Sequence, residues 1–361
     1  MKNQKQYKIK LTALSPIHIG TGEDYEPTNF VIDDGFLYEF DEFDFYENLS
    51  SSSKEVFDEI VSYKNAGSLF KIHSFIKHNK KAAIDAKTVK VQVSKGIAND
   101  YHHKIGKVVQ NEGKGKSVSK VFNKFQIART ARDTNNSKVY IPGSSIKGSI
   151  STALQEVVFK NSKQKWENDF HNRNPSLNIM KNILISDAKP LKTYAMIGYS
   201  NNKERFEDDE LGPSNKLETI YTKSEFEVTI SFKNLKPEAN FDIQNILSSC
   251  NSHYFENFDS MFSKDDYVNE YFPESFYEKY LNFKLKQNQF LLRVGKHSGA
   301  RAVTIDGMRK IKIHEGGGGP KKKKHVWLTK DEETTTWLFG STEKSTQSLL
   351  PFGWVLCELI D

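Results

Sequence analysis

Several things are missing from this chain, and each absence narrows its class. No apolar run approaches the roughly 20 residues that a membrane span needs, and no secretory signal opens the sequence. Cysteine is scarce: Cys250 and Cys357 are the only two in 361 residues, lie far apart and match no zinc pattern. Such sparing use points to a reducing compartment. These absences predict a soluble, cytoplasmic protein. Catalytic signatures are missing too. There is no Ser-His-Asp order, no catalytic-cysteine signature, no His-Glu-x-x-His helix and no dinucleotide fingerprint. No catalytic residue, metal or cofactor is expected.

What the chain has is charge, sorted by sign. The net charge is only +6. Residues 23–59 nevertheless hold thirteen acids and one base, Lys54, whereas residues 71–132 hold fifteen Lys or Arg and three acids. Segregation of this kind gives a basic surface despite a modest total. The length suffices for two ordinary domains.

The run Tyr140-Ile-Pro-Gly-Ser-Ser-Ile-Lys-Gly-Ser149 is the most informative stretch. An apolar strand end meets Pro142 and Gly143, and either Ser144 or Ser145 can cap the helix that follows. Ile146, Ile150, Leu154, Val157 and Val158 recur at helical spacing, so one face is buried. Free amides, small residues and Lys147 at a helix N-terminus make a phosphate seat. The other reading is a plain capped turn. A nucleoside triphosphate is excluded, because Ser149 and Ile150 stand where that loop needs Lys and Ser or Thr.

The rest of the chain alternates short strands and helices. The spacing predicts a strand over 7–14, a hairpin around Asp34-Gly35, a helix over 54–63, and strands over 183–188, 191–199 and 217–233. Helices are expected over 241–262 and 274–283, and strands over 289–294, 325–328 and 352–359. Residues 65–136, rich in Lys, Gly, Asn and Ser, read as a basic insertion, a long hairpin or mobile arm. The charge run 204–210 reads as a solvated loop. This order suits α+β architecture, with antiparallel sheets, helices on one face and the split β-α-β plan repeated twice.

Four further groups deserve weighing. His18, in the glycine loop Ser15-Pro-Ile-His-Ile-Gly-Thr-Gly22, either contacts RNA or is structural; no partner acid or base supports catalysis. Asp33 and Asp34 read as turn residues, too few for a metal site. Gly295-Lys-His-Ser-Gly-Ala-Arg301 joins two glycines to Lys296, His297 and Arg301, all able to donate to phosphate. The Lys321–Lys324 run would suit any polyanion.

In that order and spacing, the 15–22 loop, Ile141-Pro-Gly-Ser-Ser-Ile-Lys-Gly148 and the C-terminal glycine loop resemble the RAMP superfamily of type III CRISPR-Cas effector proteins. Chain length, the 30–38 hairpin and the ending Leu350-Pro-Phe-Gly-Trp354 are most similar to the capping subunits of the type III-A complex. The resemblance implies two ferredoxin-like (RRM-like) RAMP domains, over residues 1–200 and 201–361, the first carrying the basic insertion 65–136. It implies guide-RNA (crRNA) binding near the 3′ end, an influence on guide trimming, and no intrinsic nuclease activity. The partners it implies are the other type III effector subunits, above all the backbone RAMP subunit, with a host trimming nuclease as a further candidate and no membrane. Carried over by motif, His18, Gly20, Ser144, Ser145, Lys147, Lys296, His297 and Arg301 contact the RNA. Two alternatives stay open: a metal-independent RAMP endoribonuclease using His18 on precursor guide RNA, and the equivalent capping subunit of a type III-B complex.

Overall fold

The computed structural model describes residues 5–63, 66–105, 108–112, 119–122, 125–171, 178–204, 212–233, 241–263, 266–313, 326–328 and 333–360. Apolar alternation makes strand β1 (Gln6–Ala13), which buries Ile9, Leu11 and Ala13. β2 (Gly20–Tyr25) follows the first glycine loop. β3 (Phe30–Asp33) and β4 (Phe36–Phe40) form the expected hairpin. Its turn residues, Asp34 at φ 47° and Gly35 at φ 76°, supply the positive φ a two-residue turn needs. Asp41 then caps α1 (Glu42–Glu47), and Ser50 caps α2 (Ser51–Ser62).

The segment expected as a basic arm is mostly regular structure. It contains α3 (Ala66–His78), α4 (Lys80–Asp85), β5 (Lys87–Val93), α5 (Lys95–Lys104), the paired β6 (Val108–Glu112) and β7 (Ser119–Phe122), and β8 (Ile127–Thr130). β5 alternates Val89, Val91 and Val93 inward with Thr88, Lys90 and Gln92 outward, after an exposed Lys87. Its lysine content hid a period-two strand.

Next come α6 (Gly143–Asn161), α7 (Lys163–His171), α8 (Ile179–Asn182), β9 (Ile183–Ile185), β10 (Lys189–Lys192), β11 (Ala195–Glu204), β12 (Ser214–Ile220) and β13 (Glu225–Phe232). The single strand expected over 217–233 is thus two, broken at a turn where Lys223 has φ 66°. α9 (Ile243–Cys250) continues through a π-helical turn, 251–255, into α10 (Glu256–Ser260). The chain ends with α11 (Glu274–Tyr280), β14 (Gln289–Arg293), α12 (Gly299–Val303), β15 (Ile311–Ile313), β16 (Val326–Leu328), β17 (Thr335–Gly340), β18 (Leu350–Pro351) and β19 (Trp354–Leu359). The Gly113–Lys116 and Lys321–Lys324 runs, and all but Glu204 of the acidic run, lie outside the described residues.

Two sheets carry the core of this α/β fold. A six-stranded antiparallel sheet runs β10-β13-β1-β19-β14, with β9 also on β13. Ile146, Ile150 and Leu154 of α6 and Ile246 and Leu247 of α9 join its core with Ile9, Leu11 and Val228. A nine-stranded sheet runs β2-β8-β12-β11-β5-β4-β3, with β17 and β18 branching from β11. It is mixed, not antiparallel as expected, since β11 pairs parallel with β5 and β12 with β8. Both sheets draw strands from either side of residue 200, and β11 runs through that position. The cut at 200 separates neither sheet.

α6 is tied to the later helices by a buried charge. Glu156 is 6% exposed. It accepts from Asp306 N at 2.9 Å, and lies 3.0 Å from His253 Nδ1 and 3.1 Å from Lys160 Nζ. Burial alone would raise its pKa, but these partners outweigh burial and hold it at about 2. The folded value lies below the unfolded one near 4.5. The carboxylate therefore contributes fully above about pH 4.5 and loses its contribution as pH falls toward 2, on the order of 2–3 kcal/mol. Urea unfolding across this window should show Glu156→Gln less acid-sensitive than the wild type. Equal acid sensitivity would refute the assignment.

Candidate nucleic-acid interface

Backbone bonds fix the turn between β1 and β2 on every side. Leu14 N donates to Trp354 O at 2.9 Å, Gly353 N to Pro16 O at 2.9 Å, and Ile17 exchanges bonds of 2.9 and 2.8 Å with Ile220. Lys296 N donates to His18 O at 2.8 Å. The first glycine loop and the C-terminal glycine loop, far apart in sequence, are therefore one structure. Gly295 makes the join possible. Its φ is +86°, and a Cβ there would lie 2.5 Å from His18 O, so only glycine fits.

Within this assembly the two histidines are inner and the lysine is outer. His18 is 1% exposed. Its Nδ1 lies 2.7 Å from Glu218 O, which places the ring hydrogen on Nδ1 as donor. Burial lowers its pKa, the carbonyl bond opposes, and the Lys296 charge adds to the lowering. Gly20 leaves room for the ring: a Cβ there would sit 3.3 Å from His18 Nε2. His297, at φ 68°, stacks 4.6 Å from Trp337 and 5.1 Å from Phe352. Burial, with the Lys296 and His18 charges acting the same way, pushes it down to about 3. Both rings are neutral at physiological pH. The exposed cation of the loop is Lys296.

The 140–149 motif differs from its expected form at the helix start. Pro142, not a serine, is the N-cap of α6. Gly143 N donates to Asp187 Oδ1 at 2.7 Å, so a carboxylate of this chain already stands at the helix N-terminus. Lys147 Nζ donates to Ile183 O at 2.8 Å, and burial lowers its pKa. Ser144 is exposed and Ser145 half-buried. On the same helix, Ser149 Oγ donates to Arg293 O at 2.8 Å. α6 thus abuts the strand that leads into Gly295. Arg301 sits apart on α12. Its backbone N donates to Glu333 Oε1 at 2.6 Å, and its side chain helps line a cavity of about 240 Å³ with the buried Arg293.

Sequence reasoning missed the polar network beneath His18. Glu218 on β12 is fully buried. It accepts from Arg132 Nε at 3.0 Å and also from Arg132 Nη2, from Thr130 N at 3.2 Å, and from Tyr25 Oη at 3.2 Å. Burial works to lower the Arg132 pKa, and Glu218 more than offsets it. Arg129 grips Glu39 with two 2.8 Å bonds and lies 4.4 Å over the Tyr25 ring. The network joins β2, β4, β8 and β12 under the loop. A visible signal was the Arg129-x-x-Arg132 pair, since only seven residues of the chain are arginine. Of the two aspartates, Asp34 makes the turn and Asp33 bonds Lys80 Nζ at 2.7 Å. Among the described residues no three His, Cys, Asp or Glu side chains cluster as metal ligands, and no helix is long and apolar enough to cross a membrane.

Comparison with known proteins places this geometry. The model of the RAMP superfamily matches residues 10–357. A CRISPR system protein Csm5 of Streptococcus thermophilus is 29% identical over 54% of this chain and 50% of its own length. The Csm5 of Methanocaldococcus jannaschii is 25% identical over 98% of this chain and 89% of its own. The match thus spans half of one curated relative and most of the other. Two solved structures share the fold. A chain from a Csm–crRNA–target RNA ternary complex of a type III-A system superposes with a TM-score of 0.61 at 16% identity, covering 99% of this chain and all of that one. The crystal structure of T. onnurineus Csm5 gives 0.53 at 14% identity, covering 96% and 99%. This chain belongs to the RAMP superfamily, and its curated relatives within it are Csm5 proteins of CRISPR systems.

Proposed function

We propose that this chain is a non-catalytic crRNA-binding subunit of a type III-A effector complex, seated at the 3′ end of the guide and contributing to its maturation. The observation that carries this reading is the bonded pair of loops 15–20 and 295–298, which sets Lys296 outward on a rigid base of neutral histidines. Csm5 relatives and a neighbour from a Csm–crRNA–target RNA complex support it. In this reading Lys296, Ser144, Ser145 and Arg301 touch the sugar–phosphate backbone, while His18, Gly20 and His297 shape the loop. Lys147, committed to Ile183 O, acts by holding α6. Phosphate contacts of this kind position an RNA without reading its bases, so guides with different spacers bind alike.

The six-stranded sheet fits one ferredoxin-like unit: β9, β13, β1 and β19 stand side by side, with α6 and α9 as the crossover helices. Backbone RAMP subunits, and a host trimming nuclease, are the protein partners of this reading, in the cytoplasm.

Lys296→Ala is expected to lower the slope of log affinity for guide RNA against log salt by about 0.7, one single-strand phosphate contact. Lys147→Ala should change that slope less. An unchanged slope for Lys296→Ala sinks the assignment. Incubation with repeat RNA in EDTA should give no cleavage; a site-specific cut lost on His18→Ala would establish the enzyme instead.

A further inference from the structure

The helical layer over β3 and β4 leaves an apolar face uncovered. α2 buries none of its twelve residues. Of the twelve exposed large hydrophobic residues among those described, five lie within residues 43–69: Phe43 (72%), Val56 (48%), Val61 (49%), Tyr63 (45%) and Leu69. The inner side of α2 is accounted for, because Phe57 packs 5.2 Å from Phe75 and 6.2 Å from Phe45. Ile60 also packs on that core. The outer side is not covered: beside Ile60, Val56 and Tyr63, at i and i+7, leave a two-turn exposed apolar flank, with Val61 exposed on the other flank. A 12-residue helix covering so little is marginal in water by itself.

The rim of this face is predominantly acidic. Glu55, Asp58 and Glu59 stand beside it on α2, Lys54 is paired to Glu47 at 3.2 Å, and the one lysine on the face itself, Lys71, is seated 4.8 Å over the Tyr63 ring. Carboxylates repel an RNA backbone. They also argue against a second copy of this chain, since a two-fold contact would face acid against acid. The surface lies beside β3 and β4, at one end of the nine-stranded sheet, whereas β2, which follows the His18 loop, is at the other end. Resting on the reading of this chain as a complex subunit, we infer that the α1–α2 face docks an amphipathic helix of another protein subunit whose apolar stripe is rimmed by Lys and Arg.

The test uses the full chain co-expressed with the other protein subunits of its effector complex and a guide RNA. Val56→Asp/Val61→Asp and Glu55→Lys/Asp58→Lys/Glu59→Lys are each expected to lower its occupancy in the purified complex at least tenfold, read by native mass spectrometry. Both isolated variants should keep the wild-type melting profile and RNA salt slope, because these side chains are exposed and the RNA site is elsewhere. Wild-type occupancy of both variants overturns the inference. So does a wild-type homodimer that Val56→Asp/Val61→Asp dissociates, or a charge-reversed variant that binds guide RNA more tightly and assembles normally. A wild-type chain that never enters the complex refutes the functional reading and this inference together; competent variants beside a competent wild type refute this inference alone.

Discussion

Arg132→Ala should destabilise the protein by about 3–5 kcal/mol, the cost of stranding a buried carboxylate. Glu218 is fully buried and takes the Nε and Nη2 contacts of Arg132, whose Nη1 donates to Ser137 O. Without them it keeps only Thr130 N and Tyr25 Oη, two neutral donors at 3.2 Å. The second substitution separates charge from hydrogen bonding. Arg132→Ala/Glu218→Gln removes the stranded charge and retains an acceptor for Thr130 and Tyr25, so it should recover roughly half of the loss. Both are read by urea unfolding at neutral pH. A loss below about 1 kcal/mol for Arg132→Ala would mean that the pair is solvated, as exposed pairs are. Because His18 Nδ1 rests on Glu218 O, the same variant should also weaken RNA binding while leaving Lys296 in place.

Trp354→Ala is the other large effect, about 3–5 kcal/mol for an aromatic side chain removed from a closed core. Trp354 is fully buried, its ring lying 4.9 Å from Phe258 and 4.9 Å from the Arg293 guanidinium. Arg293 is itself buried, with Nε on Phe352 O at 2.9 Å and burial pushing its pKa down to about 10. The substitution therefore opens a cavity and strips a buried cation of its aromatic neighbour. Trp354 also organises the site through its backbone. Its N donates to Ser15 Oγ at 2.9 Å, and its O accepts from Leu14 N at 2.9 Å. Trp354→Phe keeps a ring and these backbone bonds, and should lose less than half as much stability with an unchanged RNA salt slope. Equal losses for Ala and Phe would show that the indole itself, not ring burial, matters.

The elements legible in advance were those whose patterns are local. β1, the Asp34-Gly35 hairpin, α2, the 241–262 helical stretch and β19 follow from alternation, turn chemistry and helical spacing. β5 was missed because an exposed Lys87 opens it and Lys90 sits on an outward position of a strand whose valines point in. The helix start at 143 was legible, but its cap was not: Asp187, the group that bonds Gly143 N, comes from 44 residues downstream.

For the site, the sequence by itself determined which loops matter. Glycines 20 and 295, with His18 and Lys296 beside them, were visible as short runs, because a chain needing close backbone approach must place glycine there. Only the tertiary structure decided which side chain faces outward. His18, Lys147, His297 and Lys296 look alike in sequence as phosphate donors. Burial makes both histidines neutral, a carbonyl occupies Lys147, and Lys296 alone of the four remains an exposed cation. Solvent access and partner atoms set charge and availability, and both depend on residues that only the folded chain brings into contact.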